Sequence, residues 1–397
     1  MEIMTLTRPQ EGAMGSKGDG RMVVIRRFVR YFDPFHKKGK SSGSRESAKT
    51  NTPEIQNITF NRFLLVRIFS HLSMKTEQPP LALAADNVIE NCLGVKDREI
   101  VTVLTDTADE ERMKIGRSLW EAAQKRGAEA IYVEMLPRKN SGEEPPVPIA
   151  ALMATSDVVL CPTTKSLTHT KARRNACSQN ARIATLPGIT QEIAIRCLTA
   201  DYMEIARRTE AVANALRTAS NFWVVSAQGT SLRLERGGRS VIADTGLIRE
   251  PGSSGNLPAG EAFFAPMEGT AEGEIVFDGS IGDIGKLNTP VRLVVQKGIA
   301  TVITDCEAAR KFDKLLSGMG PEAYQIAELG VGTNDRAEIH GTILEDEKVL
   351  GTVHLALGNN IGMGGTTSVA IHLDGLIQNA SLYIDDVLIL ESGVLRI

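Results

Sequence analysis

The sequence predicts an α/β protein: an N-terminal Rossmann-like parallel-sheet domain followed by a β-rich α+β domain that binds metal. Three observations predict it. From about residue 80, apolar runs of strand length alternate with amphipathic stretches of helical length, the pattern of a parallel sheet with helices on its faces. Beyond residue 201 the texture changes to short strands and glycine turns with one helix among them. Finally, His372 and Asp374 stand two apart in the Val/Ile/Leu-rich SVAIHLDGLI, so on a strand they project from one face.

The elements follow in order. LALAADNVIENCLG reads as a helix closed by Gly94. REIVTVLTD is a strand, and ADEERMKIGRSLWEAAQKRG a helix with acidic residues in its first turn and Gly127 at its end. AIYVEM is the second strand. PIAALMATSDVVLCPT gives a helix and a third strand, and ARRNACSQNARIATLPG a helix and a fourth. The first βα turn, LTDTADEE, lacks GxGxxG, and no GxxxxGK[ST] occurs, so nucleotide binding has little support. Residues 201–217 form a helix leading out of a first domain spanning 78–200. In the second domain, 201–397, the strands are FWVVSA, TSLRLER, VIADTG, GEIVFDGSI and VRLVVQKGIATVI, with ARKFDKLLSGMG as the helix.

The first 77 residues read differently. Residues 1–73 hold 13 Lys/Arg against 6 Asp/Glu, a net of +7, whereas the rest of the chain carries −10. Their Ser/Lys/Gly tract and short basic-aromatic patches predict a disordered or non-native extension, with Met74 opening a normal start. An amphipathic membrane-surface segment around Arg26, Arg27 and Arg30 is the competing reading. The acidic, aromatic-poor body excludes nucleic acid as a partner, and no run is long enough to cross a bilayer. Five dispersed cysteines without CxxC spacing fit a reducing cytoplasm and make no thiolate metal site. Any metal must therefore be held by histidine and carboxylate.

Few residues qualify. His354, in GTVHLALG, precedes His372 by a glycine-rich connection, so their strands can lie side by side. Two histidines with an adjacent acid outweigh the reading of each as a core residue. Glu261 sits among apolar neighbours in LPAGEAFFAP, where an unpaired carboxylate is costly. Glu328 falls where a helix meets the glycine-rich ELGVGTN; a solvent-exposed carboxylate is the plainer reading there. Asp374 either ligates or orients His372. His169, in KSLTHTKARRNA, can face this set from the first domain, with a catalytic or substrate-contact role and a structural one equally open. His340 reads as an exposed strand residue.

Residues 78–397 resemble the leucyl aminopeptidase T family of metallo-aminopeptidases, which includes aminopeptidase S. LPAGEAFFAP, AELGVGTN, ILEDEKVLGTVHLALGNN and IHLDGLI carry the resemblance, in that order. It implies a two-metal site (Zn, Co or Mn) of Glu261, Glu328, His354, His372 and Asp374, with Glu328 bridging. It also implies a hydrolase acting on short peptides through a metal-activated water, and a homodimer. One departure is plain: GNNIGMGGTT, after His354, lacks the tyrosine that larger members carry. The chain is also similar to the 2,5-dihydroxypyridine 5,6-dioxygenases, which implies instead one Fe(II) on His354, His372 and Asp374 and a small-molecule substrate. A relative that binds a small ligand without turnover is a third reading.

Overall fold

A computed structural model of the protein describes residues 80–397. The expected extension over residues 1–77 lies outside the described residues. The fold is mixed α/β, with one five-stranded parallel sheet and two antiparallel sheets of eight and seven strands.

The parallel sheet grows from the alternation read in the sequence. Ile100–Asp106 lies between Glu129–Met135 and Val158–Cys161, and Arg182–Thr185 follows. Side chains alternate across it. Val158 and Leu160 enter one apolar cluster, while Val159 and Cys161 enter the other. The helix Glu110–Lys125 starts where Asp109 accepts a hydrogen bond from the Arg112 N–H, and Gly127 turns the chain out at φ +93°. The first predicted helix is present but changes pitch. It is α over Pro80–Asn87 and π over Val88–Cys92.

The sheet is completed from far downstream. Ser254–Asn256 pairs in parallel with Arg182–Thr185 as its edge strand. Three residues of the second half therefore belong to the sheet built by the first, which the short, polar SGN did not signal.

The two antiparallel sheets enclose the largest apolar cluster. Phe222, Val224, Ile275, Phe277, Leu293 and Leu382 come from the eight-stranded sheet, and Phe264, Leu329, Leu355, Leu357 and Leu373 from the seven-stranded one. The helices Tyr202–Thr218 and Glu307–Ser317 add Leu216 and Phe312. The seven-stranded sheet thus buries one face in this core. Its other face carries the candidate site. Among the described residues, no helix is long and apolar enough to cross a membrane.

Candidate metal centre

Four adjacent strands of the seven-stranded sheet, Glu261–Phe264, Ile326–Gly332, Val353–Gly358 and His372–Ile377, supply all five predicted ligands. Directly opposed residues of antiparallel strands share a face. Glu261 stands opposite Gly332, His354 opposite Gly330, and His372 opposite Gly358; Glu328 and Asp374 flank Ala356 from either side. The ligands therefore rise from a floor of glycine and alanine, while the alternate residues Leu329, Leu355, Leu357 and Leu373 enter the core. A register shift between Ile326 and Glu328 sets the carboxylate into this row. Glu328 is thus in mid-strand rather than at a helix end. The glycines beside it make room: a Cβ on Gly330 would stand 2.0 Å from His354 Nε2.

The side chains form two groups that share Glu328. Glu261, Glu328 and His354 make one, and Glu328, His372 and Asp374 the other, each with its ligand atoms within 4.8 Å of one another. His354 Nε2 lies 3.2 Å from Glu261 Oε2 and 3.2 Å from Glu328 Oε1. His372 Nε2 lies 3.3 Å from Glu328 Oε2 and 3.4 Å from Asp374 Oδ1. The two oxygens of Glu328 thus face different imidazoles. His372 Nδ1 is 2.7 Å from the Asn359 carbonyl oxygen, an acceptor that calls for a proton on Nδ1 and leaves Nε2 as the ligand atom.

The electrostatics follow from burial and opposed charge. Burial disfavours a charged His354, but Glu328 and Glu261 outweigh it and raise the imidazole to about 9. Burial likewise opposes the charge of His372, which Asp374 and Glu328 lift well above the usual histidine value. Burial works against an ionised Asp374, yet His372 holds it at about 2. For Glu328 the penalty of burial is again overcome, here by His354 and His372, and its carboxyl lies below the usual range. Glu261 Oε2 is buried and makes no hydrogen bond, although His354 Nε2 lies 3.2 Å away. A buried carboxylate oxygen with no hydrogen bond, beside imidazole nitrogen and further carboxylates, suits a divalent cation.

Sequence reasoning missed three charged residues beside the ligands. Lys348 is buried, donating to Glu261 Oε1 at 2.8 Å and to Glu347. Asp244 stands opposite Glu261 on the next strand. Burial pushes Asp244 up to about 7 and Glu347 up to about 8, each against the pull of Lys348. The run EDEK looks like an exposed charged face, and only its apolar surroundings, ILEDEKVLG, hint otherwise.

The remaining candidates fall as follows. His354 with His372 and Asp374, the facial set expected for one iron, is not among the two groups; Glu328 completes the His372–Asp374 side. His169 precedes the helix Lys171–Ser178, and its own burial and the charge of His372 lower its pKa. It is close enough to sense the site. His340 lies outside any strand, 3.0 Å from Glu338, and away from both groups.

The family model described as NicX: 2,5-dihydroxypyridine 5,6-dioxygenase matches residues 81–397. The chain belongs to this family. A curated relative, the 2,5-dihydroxypyridine 5,6-dioxygenase of Pseudomonas putida KT2440, is 28% identical over 204 residues. That match covers 47% of this chain and 57% of the relative, little more than half its length. The solved structure of 2,5-dihydroxypyridine dioxygenase from Pseudomonas putida KT2440 superposes with a TM-score of 0.69 at 22% identity, over 79% of this chain and 96% of that one. Wild-type AmpT from Thermus thermophilus superposes at 0.58 and 16% identity, over 80% and 99%. Both likenesses show the fold.

The expected metallo-aminopeptidase is therefore corrected. The matching family and the curated relative carry a dioxygenase name, and the AmpT likeness reaches the fold alone. The reason is physical. The motifs that carried the peptidase resemblance are the ligand-bearing strands and their glycine floor, which specify a metal-binding sheet and not the reaction run on it.

Proposed function

We propose that this protein is a metal-dependent ring-cleaving dioxygenase acting on a hydroxylated pyridine of the 2,5-dihydroxypyridine type. The observation that carries this, within the NicX family, is the convergence of Glu328, His372 and Asp374 on one space at the open side of the sheet. These three would hold a single Fe(II). Bound there, Fe(II) supplies open positions for the ring and for oxygen, and the redox chemistry of cleavage.

The chain's own residues do the rest. The Asn359 carbonyl holds the His372 Nδ1 proton, so Nε2 stays directed at the carboxylates. The leucines beneath the glycine floor keep water from the back of the face. His169 is the residue we assign to contact a hydroxyl of the substrate, from the parallel-sheet side. We place the enzyme in the cytoplasm, as the cysteine pattern implies, with a homodimer as its assembly.

One feature supports a second occupancy. Because the two groups share Glu328, Glu261 and His354 offer a place for a second cation bridged by that carboxylate. Metal analysis of anaerobically purified protein separates the two, with one iron per chain expected. Oxygen uptake on adding 2,5-dihydroxypyridine is the expected activity, abolished in His372→Ala with the circular dichroism spectrum unchanged. Full oxygen uptake by His372→Ala, or none by the iron-loaded parent, would overturn the assignment.

A further inference from the structure

Among the five ligand candidates His372 is the one with a substantially exposed side chain, 32% against 13% or less for the others. It sits at the start of its strand, where the backbone ladder does least to hold it. Its ring is steered by the Asn359 carbonyl, at the start of the loop joining the His354 strand to the His372 strand. What fixes Asn359 therefore fixes the ligand.

The bonds can be followed outward. The Asn359 N–H donates to the Ile371 carbonyl at 2.8 Å, and its side-chain amide to the Val369 carbonyl at 2.9 Å. The next residue, Asn360, is completely buried at the centre of the loop. Its Oδ1 accepts from the Thr367 N–H at 2.8 Å, and its backbone carbonyl accepts from the Met363 and Gly365 N–H groups. Asn360 Nδ2 donates to Glu268 Oε1 at 2.9 Å, and the Thr366 N–H donates to the same oxygen at 2.8 Å. Glu268 Oε2 is held by Arg239, which also donates to the Pro266 carbonyl. Gly365 completes the packing, since a Cβ there would stand 2.0 Å from Asn360 Cγ.

We propose that Glu268 is a positioning residue for the metal centre: held by Arg239, it grips Asn360 and Thr366 and so fixes the Asn359 carbonyl that aims His372. Glu268 follows the strand that carries Glu261, so one loop of the site strands disciplines the other. The proposal rests on the reading of His372 as a metal ligand. Burial disfavours the Glu268 charge, but Arg239, the Thr366 N–H and Asn360 outweigh it and hold the carboxyl down at about 2. The grip is thus ionised throughout the working pH range.

The test is Co(II) titration of the chelator-treated full-length chain, followed by visible d–d absorption and a thermal melt. Glu268→Ala is expected to bind Co(II) about 10- to 100-fold more weakly, the usual effect of losing a partner that orients a ligand, with an altered d–d band. Glu268→Gln keeps an oxygen for Asn360 and Thr366 but loses the hold of Arg239, and is expected to recover part of the loss. Gly365→Ala displaces Asn360 without touching Glu268, and should reproduce the weakened binding and altered band even if Glu268→Ala fails to fold. Parent affinity and spectrum in Gly365→Ala, or in a folded Glu268→Ala whose melting temperature alone has fallen, would overturn the proposal. His372→Ala is run alongside. Undiminished Co(II) binding by that variant defeats the ligand reading itself, whereas lost binding there with parent-like binding by Glu268→Ala defeats only the role of Glu268.

Discussion

Two residues of the site show how much depends on what lies beside a ligand. The imidazole of His354 occupies the space a side chain on Gly330 would need. Gly330→Ala should therefore displace the ring and weaken metal binding by at least about tenfold, as expected for a disturbed ligand; metal content after dialysis measures it, and parent-level content would refute the steric reading. Lys348 carries a different weight. It is the buried cation between Glu261 and Glu347, so Lys348→Met leaves Glu261 without its ammonium partner and should destabilise the fold by about 3–5 kcal/mol, read from urea melts. A change under about 1 kcal/mol would mean that water or protonation relieves that carboxylate. Of the candidate ligands, His372 and Asp374 were the most legible in the sequence, because histidine and acid two apart on a strand are conspicuous. Lys348, Glu347 and Asp244 were not, because a charged residue declares its burial only through the elements that close over it.

Strand register turns those residues into a site. Glu261, Glu328, His354, His372 and Asp374 share a face only because four antiparallel strands are locked in step and one register shift puts Glu328 in line. The sequence showed the strands around His354 and His372 but placed Glu328 where a helix meets the glycine-rich ELGVGTN, since glycine weakens every strand signal. Within the turn that follows the Glu261 strand, Glu268 makes a contribution that depends on pH. Its carboxyl titrates at about 2 in the folded chain and near 4.3 when unfolded. A depressed value means that the stabilisation is complete above the unfolded value and is lost as pH falls toward the folded one. The stability difference between the parent and Glu268→Gln should therefore be constant from neutrality to about pH 5 and narrow as the pH falls further, by urea melts at stepped pH. A gap that stays constant to about pH 3 would show that the ion pair with Arg239 contributes nothing.

Across the molecule, the parallel sheet and the ligand-bearing sheet are tied by a few specific contacts. Arg196, on the helix Gln191–Cys197, reaches both oxygens of Glu345 at 2.8 Å, and Glu345 is completely buried just before Lys348. Arg196→Met strands that carboxylate and should cost about 3–5 kcal/mol in a urea melt. A loss below about 1 kcal/mol would show that the Glu338 N–H and the Cys197 thiol, which also donate to Glu345, suffice without Arg196. The alternation of strands and helices was readable over the first half because each unit is local. The edge strand Ser254–Asn256 was not, since three small polar residues take their conformation from a neighbour about 70 residues away. That strand has a consequence for biosynthesis. At about 5–20 residues per second on the ribosome, the nascent parallel sheet waits roughly 3–14 s with the backbone of Arg182–Thr185 open along one edge. During that interval a chaperone, or another nascent chain, competes for the place that Ser254–Asn256 will take.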